Sequence, residues 1–207
     1  MREILISIRP KWCEKICHVI GKDEMGKPIY EKRIEVRKSA PKEVPFKCYI
    51  YMTQGAYKDL GLYSEGIYQN RMKVIGEFIC DKVDKIIPLR HTHYNYIGVP
   101  IANVIEYGIW NDDLPQMQMT KKEINDYGKG KILFGWHISD LKIYDKPKEL
   151  SDFISPSKVK KCVDYCINGI CSNLGYEELC GAIRRCEYKK LTRPPQSWQY
   201  VKELGNE

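Results

Sequence analysis

The octapeptide Lys32-Arg33-Ile34-Glu35-Val36-Arg37-Lys38-Ser39 alternates branched apolar residues with charges, a period of two that an extended strand satisfies and a helix does not. As a strand it places Ile34 and Val36 on one face and Arg33, Glu35 and Arg37 on the other. A chain built around such a segment needs a sheet with one buried side. Charge aligned this way is either solvated or turned toward an anionic ligand.

The neighbouring segments fit the same plan. Residues 3–8 alternate well enough for a first strand, and Pro10 suits the first turn of a helix over about 10–19. In that helix Trp12, Ile16, Val19 and Ile20 share a face, with Cys13 and Cys17 beside it and Gly21 as a stop. Residues 22–28 are polar with Gly and Pro, a loop or hairpin tip. Phe46-Lys47-Cys48-Tyr49-Ile50-Tyr51-Met52-Thr53 is the clearest strand in the chain. Residues 73–86 read as one long strand in which Gly76 marks a bulge or a close approach. Residues 88–118 show no period and form an irregular insertion.

Thr120-Lys121-Lys122-Glu123 is a capping box that opens a short helix ending by Gly128. Strands follow at 131–137 and 139–144. The organisation expected is a barrel domain over 1–150, a cysteine-rich lobe over 151–190, and a tail over 191–207 whose last strand returns to the barrel. Several strands with an early helix and short later ones make an α+β fold, a small β-barrel with flanking helices and a C-terminal cysteine-rich helical extension.

The 207 residues suffice for one such domain with embellishments. The formal net charge of +7 favours a polyanionic partner, nucleic acid above all, over a merely basic surface. No apolar run approaches the roughly 18 residues that span a bilayer. The first residues lack the apolar core and cleavage site of a signal peptide, so a cytoplasmic, reducing location is expected for the nine cysteines.

Three pieces, Ile6-Ser7-Ile8-Arg9-Pro10-Lys11-Trp12, Glu14-Lys15-Ile16 and Lys32 to Lys38, together resemble the opening of ASCH domains of the PUA-like superfamily. Those domains begin with a strand, a short helix and a strand of pattern G-x-K-x-x-E-x-R. Here Tyr30 holds the glycine slot, and residues 22–31 look inserted. Val74-Ile75-Gly76-Glu77-Phe78, Gly135-Trp136-His137-Ile138 and Arg193-Pro194-Pro195-Gln196-Ser197-Trp198 also resemble ASCH proteins, of the kind often found in phages and prophages. The resemblance implies a five- to six-stranded barrel with a cleft beside the first helix, and RNA or a modified nucleoside as ligand. One branch acts on the amide of N4-acetylcytidine, and another member is a ribonuclease. Lys32 matches the catalytic lysine of the amidohydrolase branch and Arg37 its arginine, while Glu35 stands where that branch has a threonine.

The residues themselves support two classes of function. As a binding module, Arg9, Lys11, Lys32, Arg33, Arg37 and Lys38 form a cationic rim for phosphate, and Glu35 reads a polar base edge or closes an internal ion pair with Arg37 or Arg9. Trp12, Tyr49, Tyr51, Trp136 and Trp198 are candidates for base stacking or are core aromatics. His137, Arg193 and Ser197 complete the candidate nucleic-acid surface. As an enzyme, Lys32 would be the electrophilic or nucleophilic group, with Glu35 or Glu77 as general base. A third reading is a phage-encoded interaction protein that acts on a host factor; under each reading a monomer is expected.

Cys162, Cys166, Cys171, Cys180 and Cys186 fall within 25 residues. Four of these thiolates can hold a structural zinc ion, although the spacing is not that of a zinc ribbon. Cys162 and Cys166, four apart, equally suit one apolar helical face. Cys13, Cys17, Cys48 and Cys80 read as packing thiols. His91 and His93 alternate around Thr92 and would supply half a metal site.

Overall fold

The computed structural model describes residues 1–55, 66–94, 100–109, 112–156 and 188–204. The fold is α+β. Strand β1 (Arg2–Ile8) leads through Arg9 into helix α1 (Pro10–Cys17), then a small hairpin of β2 (Val19–Lys22) and β3 (Pro28–Tyr30), and then β4 (Ile34–Arg37). The longer strands are β5 (Phe46–Met52), β6 (Val74–Cys80), β7 (Val83–Tyr94) and β8 (Pro100–Gly108). Helices α2 (Asp113–Met117) and α3 (Lys121–Gly128) precede β9 (Leu133–His137) and β10 (Ser139–Lys148). The shorter β11 (Phe153–Pro156), β12 (Tyr188–Lys190), β13 (Trp198–Tyr200) and β14 (Lys202–Glu203) complete the described chain.

Two sheets dominate. One is five-stranded in the order β10-β6-β5-β1-β13, with β1 and β5 parallel and the other pairs antiparallel. The other is antiparallel and four-stranded, in the order β4-β9-β7-β8. The chain crosses between them from β1 to β4, back from β4 to β5, and again at two adjacent corners, from β6 to β7 and from β9 to β10. There the His137 amide donates to the Lys82 carbonyl at 3.0 Å. Between the sheets lies a core of Ile4, Ile6, Ile8, Cys13, Ile16, Phe46, Cys48, Ile50, Phe78 and Trp136. Trp136 meets Phe46 edge to face at 5.1 Å, which ties β9 to β5.

Outside this core, Leu5, Tyr49 and Phe153 pack on the far face of the five-stranded sheet. Ile34, Val36, Met117, Ile124 and Leu133 join the four-stranded sheet to α2 and α3. Proline at the first helical position and an extended Arg9 start α1, which buries Cys13 and Ile16. The capping box forms as the sequence indicates: the Glu123 amide donates to Thr120 Oγ1, and the Thr120 amide donates to Glu123 Oε2. At Gly76 an added Cβ would stand 2.5 Å from the Lys142 carbonyl oxygen, so the close approach predicted there is real.

Four expectations change. The long strand over 73–86 is two strands, broken at Asp81 and Lys82 where the chain turns from one sheet to the other. The insertion at 88–118 is not irregular: β7 and β8 pair from Ile87–Gly108 to Tyr94–Pro100, and α2 follows. The hairpin projects past β9, which pairs only with residues 83–86 of β7. Its apolar residues therefore include exposed ones such as Ile87 and Leu89, and no burial period appears in the sequence. Helix α1 ends at Cys17, and Gly21 belongs to the β2–β3 hairpin. Finally, β4 is covered on both faces rather than presenting its charges to solvent.

The cysteines proposed for zinc, Cys162, Cys166, Cys171, Cys180 and Cys186, lie outside the described residues. Cys13, Cys48 and Cys80 are buried and Cys17 half-buried, as packing thiols. Among the described residues no helix is long and apolar enough to cross a membrane.

Candidate functional site

Glu35 pairs across the ladder with Trp136, and Arg37 with Phe134, so both charged side chains point into the space between the two sheets. Ile34 and Val36 point the other way, into the cluster under α2 and α3. Arg37 is 8% exposed, Glu35 5% and Lys32 only 1%. The three form one buried array. Glu35 Oε1 lies 3.0 Å from Arg37 Nη2, and Glu35 Oε2 lies 3.4 Å from Lys32 Nζ. Arg37 Nη2 also donates to the Ser7 carbonyl at 2.8 Å, which binds β4 to the end of β1.

Lys32 is heavily committed. Its ammonium donates to the carbonyls of Ile34 at 2.9 Å and Met117 at 2.5 Å, and it lies 5.1 Å from the Trp12 ring centroid. Burial lowers its pKa, and the adjacent Glu35 carboxylate partly offsets that shift. Lys32 thus pins the end of α2 to β4.

Satisfaction of this array is incomplete. Arg37 Nε is a buried donor with no hydrogen bond among the described residues, whereas Glu35 Oε2, a buried acceptor, has only the 3.4 Å ion-pair contact with Lys32 Nζ. Such atoms are costly unless something completes them. Both residues line a cleft of about 790 Å³. Its walls come from Ser7 at the end of β1, Arg9 and Trp12 at the start of α1, Lys38 after β4, Tyr127 on α3, and the segment Pro194 to Ser197. Among the described residues, four cations (Arg9, Lys32, Arg37 and Lys38) and one carboxylate, Glu35, line it, so their combined charge is positive.

The far wall is held by Ser7. The Ser7 hydroxyl donates to the Pro195 carbonyl at 2.6 Å, and the Ser7 amide donates to the Ser197 carbonyl at 2.9 Å. Beyond Trp12 the cleft adjoins a shallower hollow of about 520 Å³ that shares Trp12 and Met119 with it. Lys11 stands at this hollow, 4.2 Å from the Trp12 ring centroid, and forms a 3.2 Å ion pair with Glu123.

The expected cationic rim therefore separates into parts. Arg9 and Lys38 are exposed at the cleft, whereas Lys32, Glu35 and Arg37 are its buried floor and wall. The internal Glu35–Arg37 pair, one of the alternatives read from the sequence, is present. Arg33 and Arg193 are exposed but do not line the cleft. Ser197 lines it. Trp198 stands behind, donating from Nε1 to Ser39 Oγ at 3.0 Å and meeting Trp136 at 5.8 Å. Trp136 is fully buried, so its faces are core surface.

His137 Nε2 lies 2.6 Å from Asp84 Oδ2, away from the cleft walls. Glu77, paired across from Tyr49, projects toward the opposite face of the five-stranded sheet, where it accepts from Tyr144 and lies 2.9 Å from Lys47. Burial alone would raise its pKa, but those two partners outweigh burial and hold it below the ordinary value. A carboxyl so placed is a weak proton acceptor near neutrality and is remote from Lys32.

Sequence reasoning did not single out Ser7, Thr53, Met119, Tyr127 or Gln196 as cleft residues, yet all line it. The capping box located the helix that carries Tyr127 but not the direction it faces. Ser7 and Gln196 lie in the quoted ASCH-like pieces, a signal that could have found them, whereas nothing local marks Thr53 or Met119.

No family model matches the chain, and no curated protein matches it. Among solved structures it is similar to ASCH from Zymomonas mobilis, at 15% identity over 97% of this chain and 88% of that one, with a TM-score of 0.49. It is also similar to a serine-to-alanine mutant of that protein (13% identity, 98% and 90% coverage, TM-score 0.49). A tyrosine-to-phenylalanine mutant matches at 13% identity over 99% and 93%, with a TM-score of 0.48.

Proposed function

We propose that the cleft beside α1 binds RNA or a nucleotide. The observation that carries this reading is the cationic lining of the cleft, where Arg9 and Lys38 are exposed and Arg37 and Lys32 stand behind them with one carboxylate, Glu35. The Glu35 carboxylate and Arg37 guanidinium, 3.0 Å apart, put an acceptor next to a donor, a combination that complements a base edge with an amino or imino hydrogen next to a ring nitrogen or carbonyl. Arg9 and Lys38, exposed at the mouth, suit phosphate, and Trp12 offers an aromatic wall for a base. Glu35 supplies selectivity and the cations supply affinity.

The test is binding of labelled single-stranded RNA and of nucleoside monophosphates at several salt concentrations. Affinity should fall as salt rises, with a slope of about −0.7 per phosphate contacted for a single strand. Arg9→Ala and Lys38→Ala should each weaken binding across all sequences, and Glu35→Gln should change base preference. Salt-independent binding, or none, would refute the assignment.

A second reading, hydrolysis of a modified nucleoside or of RNA, draws on the lowered pKa of Lys32 at the cleft wall. Its ammonium hydrogens are directed at two carbonyls and Glu35, which favours a structural role for Lys32 and ranks binding first. Incubation with N4-acetylcytidine and with single-stranded RNA, followed by product analysis, separates the two.

A further inference from the structure

We infer that the ligand spans at least two consecutive nucleotides, the second lying in the hollow on the other side of Trp12; this rests on the nucleotide reading of the main cleft. The two concavities are contiguous, with Trp12 and Met119 forming walls of both. A mononucleotide in the first would leave the second empty. An extended strand would cross Trp12 and continue.

The hollow has a group suited to the next phosphate. Lys11 precedes Trp12 in the chain, and its ammonium sits 4.2 Å from the ring centroid, on the divider itself. Its carboxylate partner, Glu123, is a replaceable one. The pair is 3.2 Å long, with side chains 54% and 40% exposed, so it is solvated and screened. Lys15 lies deeper, and its ammonium donates to Glu31 at 2.8 Å and Gln118 at 2.9 Å, two of three available donors. An incoming phosphate therefore exchanges with Glu123 for Lys11 and takes up the third donor of Lys15. Glu123 also repels that phosphate, which makes it a brake on affinity.

The experiment compares the four nucleoside monophosphates with their homodinucleotides and a random-sequence RNA hexamer, by calorimetry at low salt. The inference expects dinucleotides to bind at least about 5-fold more tightly than the matching monophosphates. Lys11→Ala should abolish most of that gain and lower the salt slope of dinucleotide binding by about 0.7. Glu123→Gln, which keeps the capping hydrogen bonds but drops the charge, should tighten dinucleotide binding and leave monophosphates unaffected. If monophosphates bind and dinucleotides bind no better, or if Lys11→Ala weakens both equally, the second subsite is overturned while the main cleft stands. If none of the probes binds, the nucleotide reading itself fails and this inference falls with it.

Discussion

Glu35 and Arg37 share one ion pair, 3.0 Å between Oε1 and Nη2, yet each keeps a buried atom without a hydrogen bond. Lys32 Nζ, 3.4 Å from Glu35 Oε2, offsets part of the cost, but a buried charged group whose hydrogen-bonding capacity is left unfilled is expensive. The unpartnered Arg37 Nε in this array is one reason for the ligand-binding reading proposed for the cleft.

Removal of the carboxylate should be severe. Glu35→Ala leaves Arg37 and Lys32 buried without their counter-charge and should cost about 3–5 kcal/mol of stability. Lys11→Ala, which breaks an exposed pair, should cost less than about 1 kcal/mol. Urea denaturation of both variants against the parent checks the contrast.

Gly76 is a packing constraint of a different kind. Alanine there would drive a methyl group to 2.5 Å from the Lys142 carbonyl oxygen, a backbone atom of the neighbouring strand. The strands must separate, at about 1–3 kcal/mol, and the thermal midpoint should drop by several degrees.

The Glu77 carboxyl titrates below its ordinary value of 4.5 in the folded protein because Tyr144 and Lys47 outweigh the effect of burial. A carboxyl with a depressed folded pKa stabilises fully above the unfolded pKa, and that contribution is lost as pH falls through the folded pKa. Parent stability should therefore decline on acidification below about pH 4.5, and Glu77→Gln should flatten that decline. A pH series of urea midpoints measures it.

Thiol chemistry gives an independent check on the core. Burial pushes Cys13 and Cys48 well above the ordinary thiol range and Cys17 and Cys80 up to about 12. All four should resist alkylation at pH 8 in the native protein and react on unfolding, as read by peptide mass spectrometry. Rapid native labelling of Cys13 or Cys48 would contradict the packing described.

The sequence revealed elements better than their surroundings. Alternation at Ile34, Glu35, Val36 and Arg37 correctly sorted the residues onto two faces of β4, because period two is a local property. It could not reveal that a second sheet and α1 cover the charged face, since that depends on strands β1 and β5. Lys32 carried no sign of burial: the carbonyl that receives it belongs to Met117, 85 residues away. Thr120 and Glu123 announced their helix because a capping box is self-contained. The region after Pro88 was illegible for the opposite reason, since its hairpin runs past the end of β9 and apolar residues such as Ile87 and Leu89 are exposed.

The Ser7 contacts to Pro195 and Ser197 join positions almost two hundred residues apart. During synthesis, Arg9, Trp12 and Arg37 leave the ribosome long before the opposite wall exists. A nascent or prematurely terminated chain has the basic half of the cleft without its enclosure. The cleft is therefore enclosed only late in translation, when residues 194–197 dock against the strand made first.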